Sequence, residues 1–251
     1  MRENFVINPK YSHLAEKLKD ILHHFSQKGE YVAKGERNVI KMVQLEGISF
    51  NIKKFKTPNA FQSLVYKFIR KSKAKRSFEY ASKLIDFGIN TPFPVAYFEV
   101  FSRGLQDSFY ISEHIDYDFD FRELIHNPRF KKRNEILRQF TKFTFKLHEK
   151  GVNFLDHSPG NTLIVDHGNN TYDFYLIDLN RMRFEPMDFN ARMHNFRRLW
   201  LSKTMVKIMA QEYAELSGKS YEETYILMLK YSRIFQKKIN SKKLRRRKLF
   251  N

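Results

Sequence analysis

The run Phe154-Leu155-Asp156-His157-Ser158-Pro159-Gly160-Asn161 leads directly into the apolar TLIV, a polar turn at 166–170, a second apolar run FYLI, and Asp178. Two short apolar runs separated by a polar turn predict a β-hairpin, and a hairpin returns its ends to nearly the same place. Asn161 precedes one strand and Asp178 follows the other, so the two converge, with Asp156 beside them on the preceding loop. Two oxygen donors next to a carboxylate suit phosphoryl transfer. Mg²⁺ takes hard oxygen ligands, few of them from protein, and an attacking hydroxyl needs a carboxylate to orient it. Asp, Asn, Gly and Pro are also ordinary turn formers; the spacing to Asp178 across an apolar hairpin is what sets this segment apart.

The rest of the chain has a clear order. Leu14, Leu18, Ile21, Leu22 and Phe25 fall at helical spacing and predict a helix over 11–28. Strands are expected at 38–44 and 48–55, with Glu46-Gly47 as their turn. Helices follow at about 58–70 and 76–87, the second stopped by Gly88. Prolines extend TPFPVAYFEVF, and a strand is expected at 108–112. Ile136, Phe140, Phe143 and Leu147 make the stripe of a long helix over 130–150, ended by Gly151. Beyond about 187 the chain reads as helix, with a break at Gly218. This order predicts an α+β protein of two lobes, residues 1–112 and 113–251, with the changeover near 112–117. With 42% hydrophobic and 16% aromatic residues, there is ample apolar surface for a core.

In these residues the chain resembles the protein-kinase-like fold, whose catalytic loop has the spacing D-x-x-x-x-N, then a hairpin, then a metal-binding Asp. The wording D-H-S-P-G-N-T-L-I followed by L-I-D-L-N-R is most similar to the lipopolysaccharide kinases, which phosphorylate Kdo or heptose sugars of the inner core from ATP. The resemblance covers residues 35–185 and implies a bilobal kinase fold with ATP and Mg²⁺ as cofactors. It implies Asp156 as the catalytic carboxylate and Asn161 and Asp178 as metal ligands. Phe50-Asn51-Ile52-Lys53 matches the end of the V-A-I-K strand, which points to Lys53 for the α/β-phosphates. Strand alternation puts Lys54 on the opposite face, and the register between the two stays open. Glu79, on the helix before Gly88-Ile89-Asn90-Thr91-Pro92, is the favoured partner of Lys53, with a solvated Glu paired to a nearby lysine as the lesser alternative. Ser112-Glu113-His114-Ile115 falls where backbone groups of the interlobe segment would meet adenine, so Glu113 and Ile115 are candidate nucleotide contacts.

Departures from the kinase pattern narrow the substrate. There is no G-x-G-x-x-G loop; the corresponding turn, Lys34-Gly35-Glu36-Arg37-Asn38, leaves part of the phosphate cradling to Arg37, Asn38 and backbone amides. The usual His and Arg before the catalytic Asp are Phe154 and Leu155, which argues against control by a phosphorylated loop. The stretch after Asp178 is too short for a long peptide-docking segment, so a small or lipid-linked hydroxyl acceptor is favoured over a protein. Two alternatives remain at this level: a kinase-fold phosphotransferase for another small molecule or a protein, and an inactive kinase-fold module that binds nucleic acid or an anionic membrane.

Charge bears on partners. Forty-six Lys plus Arg against 27 Asp plus Glu give +19, which favours polyanions. The resemblance and the charge together imply an anionic lipid-linked sugar acceptor and a cytoplasmic protein peripheral on the inner membrane. The tail at about 239–251 mixes Lys242, Lys243, Arg245, Arg246, Arg247 and Lys248 with apolar residues, a pattern suited to an anionic membrane surface. Nucleic acid is disfavoured, since no reader motif is present. Cysteine is absent, which excludes disulfides, thiolate metal sites and a cysteine nucleophile. No run approaches the ~18 apolar residues of a membrane span, and MRENFVINPK lacks the apolar core of a secretory signal. Ser217-Gly218-Lys219-Ser220 reads as a helix end rather than a P-loop, and His157 as a loop residue exposed beside Asp156.

Overall fold

The structure is a computed structural model that describes residues 1–34 and 38–250. Contacts divide the chain into two compact units, Met1–Asp116 and Tyr117–Asn251.

The first unit is a six-stranded antiparallel sheet with helices. Its strands are β1 (Arg2–Ile7), β2 (Glu30–Lys34), β3 (Asn38–Leu45), β4 (Ile48–Phe55), β5 (Pro94–Phe101) and β6 (Leu105–Glu113), in the spatial order β1-β5-β6-β4-β3-β2. Glu46 and Gly47, both at positive φ, close the β3–β4 hairpin as a two-residue turn whose twist matches the strands. The helix expected over 11–28 is shorter. Asn8 and Pro9 open a 3-10 turn at Pro9–Leu14, and α1 runs only over Ala15–His23. The segment still lays Leu14, Leu18, Leu22 and Phe25 against Phe50, Phe98, Phe109 and Ile111 of the sheet. Lys41 is buried just past α1, where its ammonium donates to the carbonyls of Phe25 (2.7 Å), Ser26 (3.1 Å) and Lys28 (2.9 Å). Those bonds replace the water a buried ammonium loses. Between β4 and β5 come α2 (Ala60–Phe68) and α3 (Lys73–Asp86); Ala74 of α3 packs with Phe55 and Tyr97.

The second unit is mostly helical. Its elements are β7 (Phe119–Asp120), α4 (Arg122–His126), α5 (Arg133–Glu149), β8 (Val152–Phe154), β9 (Thr162–Asp166), β10 (Tyr172–Leu176), β11 (Met182–Phe184), α6 (Phe189–Asn195), α7 (Lys203–Ser217) and α8 (Tyr221–Phe250). One core joins them: Ile136, Leu137 and Phe140 of α5 meet Phe196, Met205, Met209 and Tyr213 from the helices that follow the hairpin. Gly218, at φ 65, caps α7, so the Ser217–Ser220 run is a helix end. The basic tail is continuous with α8, and the Lys243 ammonium lies over the Trp200 ring.

Candidate active site

Two backbone clamps build the loop that carries Asp156. Strand β8 pairs with β11, Phe154 opposite Met182, and the Leu155 amide donates to the Arg181 carbonyl at 3.0 Å. Strand β9 pairs with β10, and the Ile177 amide donates to the Asn161 carbonyl at 3.0 Å. Segments 155–161 and 177–181 are therefore held side by side, as the hairpin argument requires. The Arg122 guanidinium lies over Gly160: a Cβ there would fall 1.8 Å from it, and the flexible, exposed arginine would have to swing aside. Arg122 is itself held by Asp120 at 2.6 Å.

Within this frame the Asn161 side-chain amide donates to the Asp156 carbonyl at 2.8 Å. That leaves its Oδ1, the hard donor, outside the bond. Asp178 sits at φ 58, a left-handed conformation that is uncommon for a residue with a side chain and concentrates at functional turns. Its Oδ1 accepts from the Asn180 amide at 2.6 Å. An amide oxygen and a carboxylate make an all-oxygen donor pair, which fits Mg²⁺ filling its other positions with phosphate and water.

Asp156 is not a bare carboxylate. Arg198 contacts one oxygen at 2.7 Å and Arg181 approaches the other at 3.8 Å. Arg198 Nε is buried with no hydrogen-bond partner. Burial, then the charges of Arg198 and Arg181, draw the nearby Arg197 below the usual guanidinium value. Two guanidinium groups thus meet Asp156, and a third, Arg197, lies within electrostatic reach of both.

Beneath the loop runs a buried polar chain. Asn195 donates to the Phe154 carbonyl and to Asn153 Oδ1, both at 3.0 Å, and its Oδ1 meets His157 Nδ1 at 2.9 Å and His148 Nε2 at 3.3 Å. His148 Nδ1 in turn meets the Tyr213 hydroxyl at 2.8 Å. The expectation of an exposed His157 is corrected here: the ring is fully buried, packed near Phe140 and Phe154. Burial pushes the pKa of His157 down to about 4 and that of His148 to about 3.

The candidates of the first unit stand as follows. Lys53 lies on β4 opposite Tyr110, its ammonium over the Phe55 ring. Lys54, on the other face, pairs with Asp107 at 2.9 Å and lies over Phe109. Glu79 of α3 accepts from the Lys71 ammonium with both oxygens, at 2.9 and 2.8 Å. Asn38 opens β3, and its Oδ1 is buried without a partner. Arg37 lies outside the described residues. The Glu113 amide donates to the Phe93 carbonyl, and its carboxylate accepts from Lys10 at 2.9 Å and from the Tyr11 hydroxyl. Ile115 follows β6, half-buried.

Sequence reasoning missed Arg181, Arg198, Asn195 and His148. Arg181 was within reach, in the L-I-D-L-N-R run. The other three come from helices and carry no local signal.

An antiparallel sheet with an inserted helix pair, followed by a helical unit in which an Asp–Asn loop, a hairpin and an Asp turn are locked together, defines a protein-kinase-like fold. The chain belongs to the lipopolysaccharide kinase (Kdo/WaaP) family, whose sequence model matches residues 29–221. It is thus placed in a family of phosphotransferases. The solved structure described as "WaaP in complex with acyl carrier protein" is similar over 94% of this chain and 99% of that one, with a TM-score of 0.66 at 16% identity. A MAP kinase, LmaMPK10 from Leishmania major, aligns over 84% of this chain and 64% of that one, with a TM-score of 0.46 at 19% identity. No curated protein sequence matches.

Proposed function

We propose that the protein is an ATP- and Mg²⁺-dependent kinase of a sugar hydroxyl, Kdo or heptose, on the inner core of lipopolysaccharide. The observation that supports this most is the double clamp that holds Asp156, Asn161 and Asp178 on adjoining turns. Asp156 orients the acceptor hydroxyl and takes its proton as the new O–P bond forms and the bond from the γ-phosphorus to ADP breaks. Asn161 and Asp178 would hold the ion, which would supply charge neutralisation on the transferred phosphoryl group. Lys53 positions the α/β-phosphates, with Glu79 as its holder, a role its carboxylate would share with Lys71. Asn38, Arg37 and nearby amides cradle phosphate, and backbone groups at Glu113 and Ile115 meet adenine.

Arg181, Arg197 and Arg198 favour an acceptor that is itself anionic, since an approaching carboxylate or phosphate offsets their charge and relieves Arg198 of its hold on Asp156. The lipid-linked form of such an acceptor places the enzyme at the cytoplasmic face of the inner membrane as a peripheral protein. Among the described residues no helix is long and apolar enough to cross a membrane.

The test is ATP titration followed by thermal shift at several Mg²⁺ concentrations. Wild-type protein should be stabilised by ATP only with Mg²⁺, and Asp178→Asn should need far more of the ion. An unchanged metal dependence would reduce Asp178 to a hairpin-end residue.

A further inference from the structure

Helix α2 is seated inside out. Asn59 caps it by accepting from the Gln62 amide at 2.9 Å. The side chain it turns inward is polar: Ser63 is buried and donates to the Leu105 carbonyl at 2.7 Å. The fit is close, since a Cβ on Gly104 would lie 2.2 Å from Ser63 Oγ. Facing away from this contact, at helical spacing, stand Phe61 (76% exposed), Leu64 (48%) and Phe68 (73%), continued by Ile69 (82%). A surface helix ordinarily buries such a stripe. Here the β5–β6 turn takes the serine, and the aromatic residues are left in water.

Cations surround the stripe. Beside it a groove of about 540 Å³ is lined by Arg2, Lys67, Arg70, Lys71 and Lys75. Its one carboxylate, Glu99, is buried and accepts from Asn4 at 2.8 Å; Lys71 is paired with Glu79 and Lys67 with the Ser102 and Arg103 carbonyls, which leaves Arg2, Arg70 and Lys75 as the groove's main charges. Bulky apolar side chains standing out singly from a short helix, next to a basic groove of headgroup size, match an element that lies in a membrane interface. A folded partner would need a broad complementary patch of ~800 Å² per side, and protruding phenylalanines on a nine-residue helix insert between headgroups more readily than they fill a protein pocket.

We infer that α2, with the basic groove beside it, docks the protein on an anionic membrane surface, Phe61, Leu64 and Phe68 entering the interface while the groove takes lipid phosphates. The inference rests on the proposed function for the use of such docking, namely reaching a lipid-linked acceptor, and moves the main contact from the C-terminal tail to the first unit.

The experiment is co-sedimentation of the full chain, without ATP, with vesicles of phosphatidylcholine alone and of phosphatidylcholine mixed with phosphatidylglycerol. Wild-type protein should sediment with the mixed vesicles, and raised salt should weaken the contact. The double variant Phe61→Ser/Phe68→Ser should bind at least about tenfold more weakly, because two exposed aromatic groups no longer leave water. Its melting temperature should be unchanged. Arg70→Glu should weaken binding to the mixed vesicles while the variant stays folded. Removal of 241–251 should cost less binding than the double variant. Equal binding by the double variant and wild type, or loss only on removing the tail, would overturn the inference. So would a preference for polyglutamate over the mixed vesicles, which would reassign the surface to an acidic polypeptide. Phosphate transfer scored separately keeps the two readings apart: transfer without vesicle binding sinks only the docking, and vesicle binding without transfer sinks only the kinase reading.

Discussion

The loop that carries Asp156 and the helix that carries Phe61 and Phe68 treat polar groups in opposite ways. Under the loop the polar groups go inward: Asn195 ties His157, His148 and the Phe154 carbonyl into one buried chain. On α2 the one fully buried side chain is a serine, and Phe61, Leu64 and Phe68 go out. A buried network fixes geometry at the risk of large penalties if any member is lost, which suits chemistry. An outward apolar face contributes almost nothing to the fold and waits for a surface, which suits adhesion.

The sharpest break between the two regions is in rate. Asp156→Asn should fold and bind Mg-ATP yet lose turnover by about 10² to 10⁴, the usual contribution of a positioned base, whereas Phe61→Ser should leave transfer to a water-soluble acceptor unaltered. Initial rates at saturating ATP decide this, and wild-type turnover in Asp156→Asn would remove that residue from its role.

Acid should strike the network next. His148 and His157 are kept neutral by burial, with pKa values of about 3 and about 4 in the fold against about 6.5 in an unfolded chain. Protons therefore bind the unfolded state first as pH falls. The stabilising contribution is complete above pH ~6.5 and drains away between there and ~4 for His157 and ~3 for His148, on the order of 3–5 kcal/mol per histidine. Urea melts across that range should steepen in slope, and His157→Gln should flatten part of it. A flat profile would mean the histidines are not sealed from water.

Asn195→Leu tests the same network at neutral pH. It leaves His157 Nδ1 and His148 Nε2 without that partner, while the Phe154 carbonyl keeps the His157 amide, and should destabilise by about 2–3 kcal/mol. At the small end, Phe68→Ser should move stability by less than ~0.5 kcal/mol, as expected for an exposed site. If Phe68→Ser were as damaging as Asn195→Leu, the contrast between the two regions would fail.

Legibility in the sequence followed the range of the interactions. The β3–β4 hairpin, α3 and α5 announced themselves because their turns, caps and stripes are local. The β9–β10 hairpin did too, and with it the placing of Asn161 and Asp178 on adjoining turns. Strand β1 did not: RENFVI is half exposed and finds its register only against β5, far along the chain. Arg198 and Asn195 approach Asp156 and His157 from some forty residues downstream, so no spacing rule connects them. Helix α2 was visible as a helix, but its outward face depends on Ser63 meeting Gly104, which periodicity alone cannot foretell.

The central claim is phosphoryl transfer to an anionic, lipid-linked sugar, and the most direct measurement follows label from γ-phosphate-labelled ATP into purified Kdo-lipid A, with lipid A lacking the sugar as control. With Mg²⁺ present, wild-type protein should move label into the sugar-bearing lipid and leave the control unlabelled, and Asp156→Asn should do neither. Label that stays in ATP or is released as free phosphate, or that enters the control lipid equally, would contradict the account.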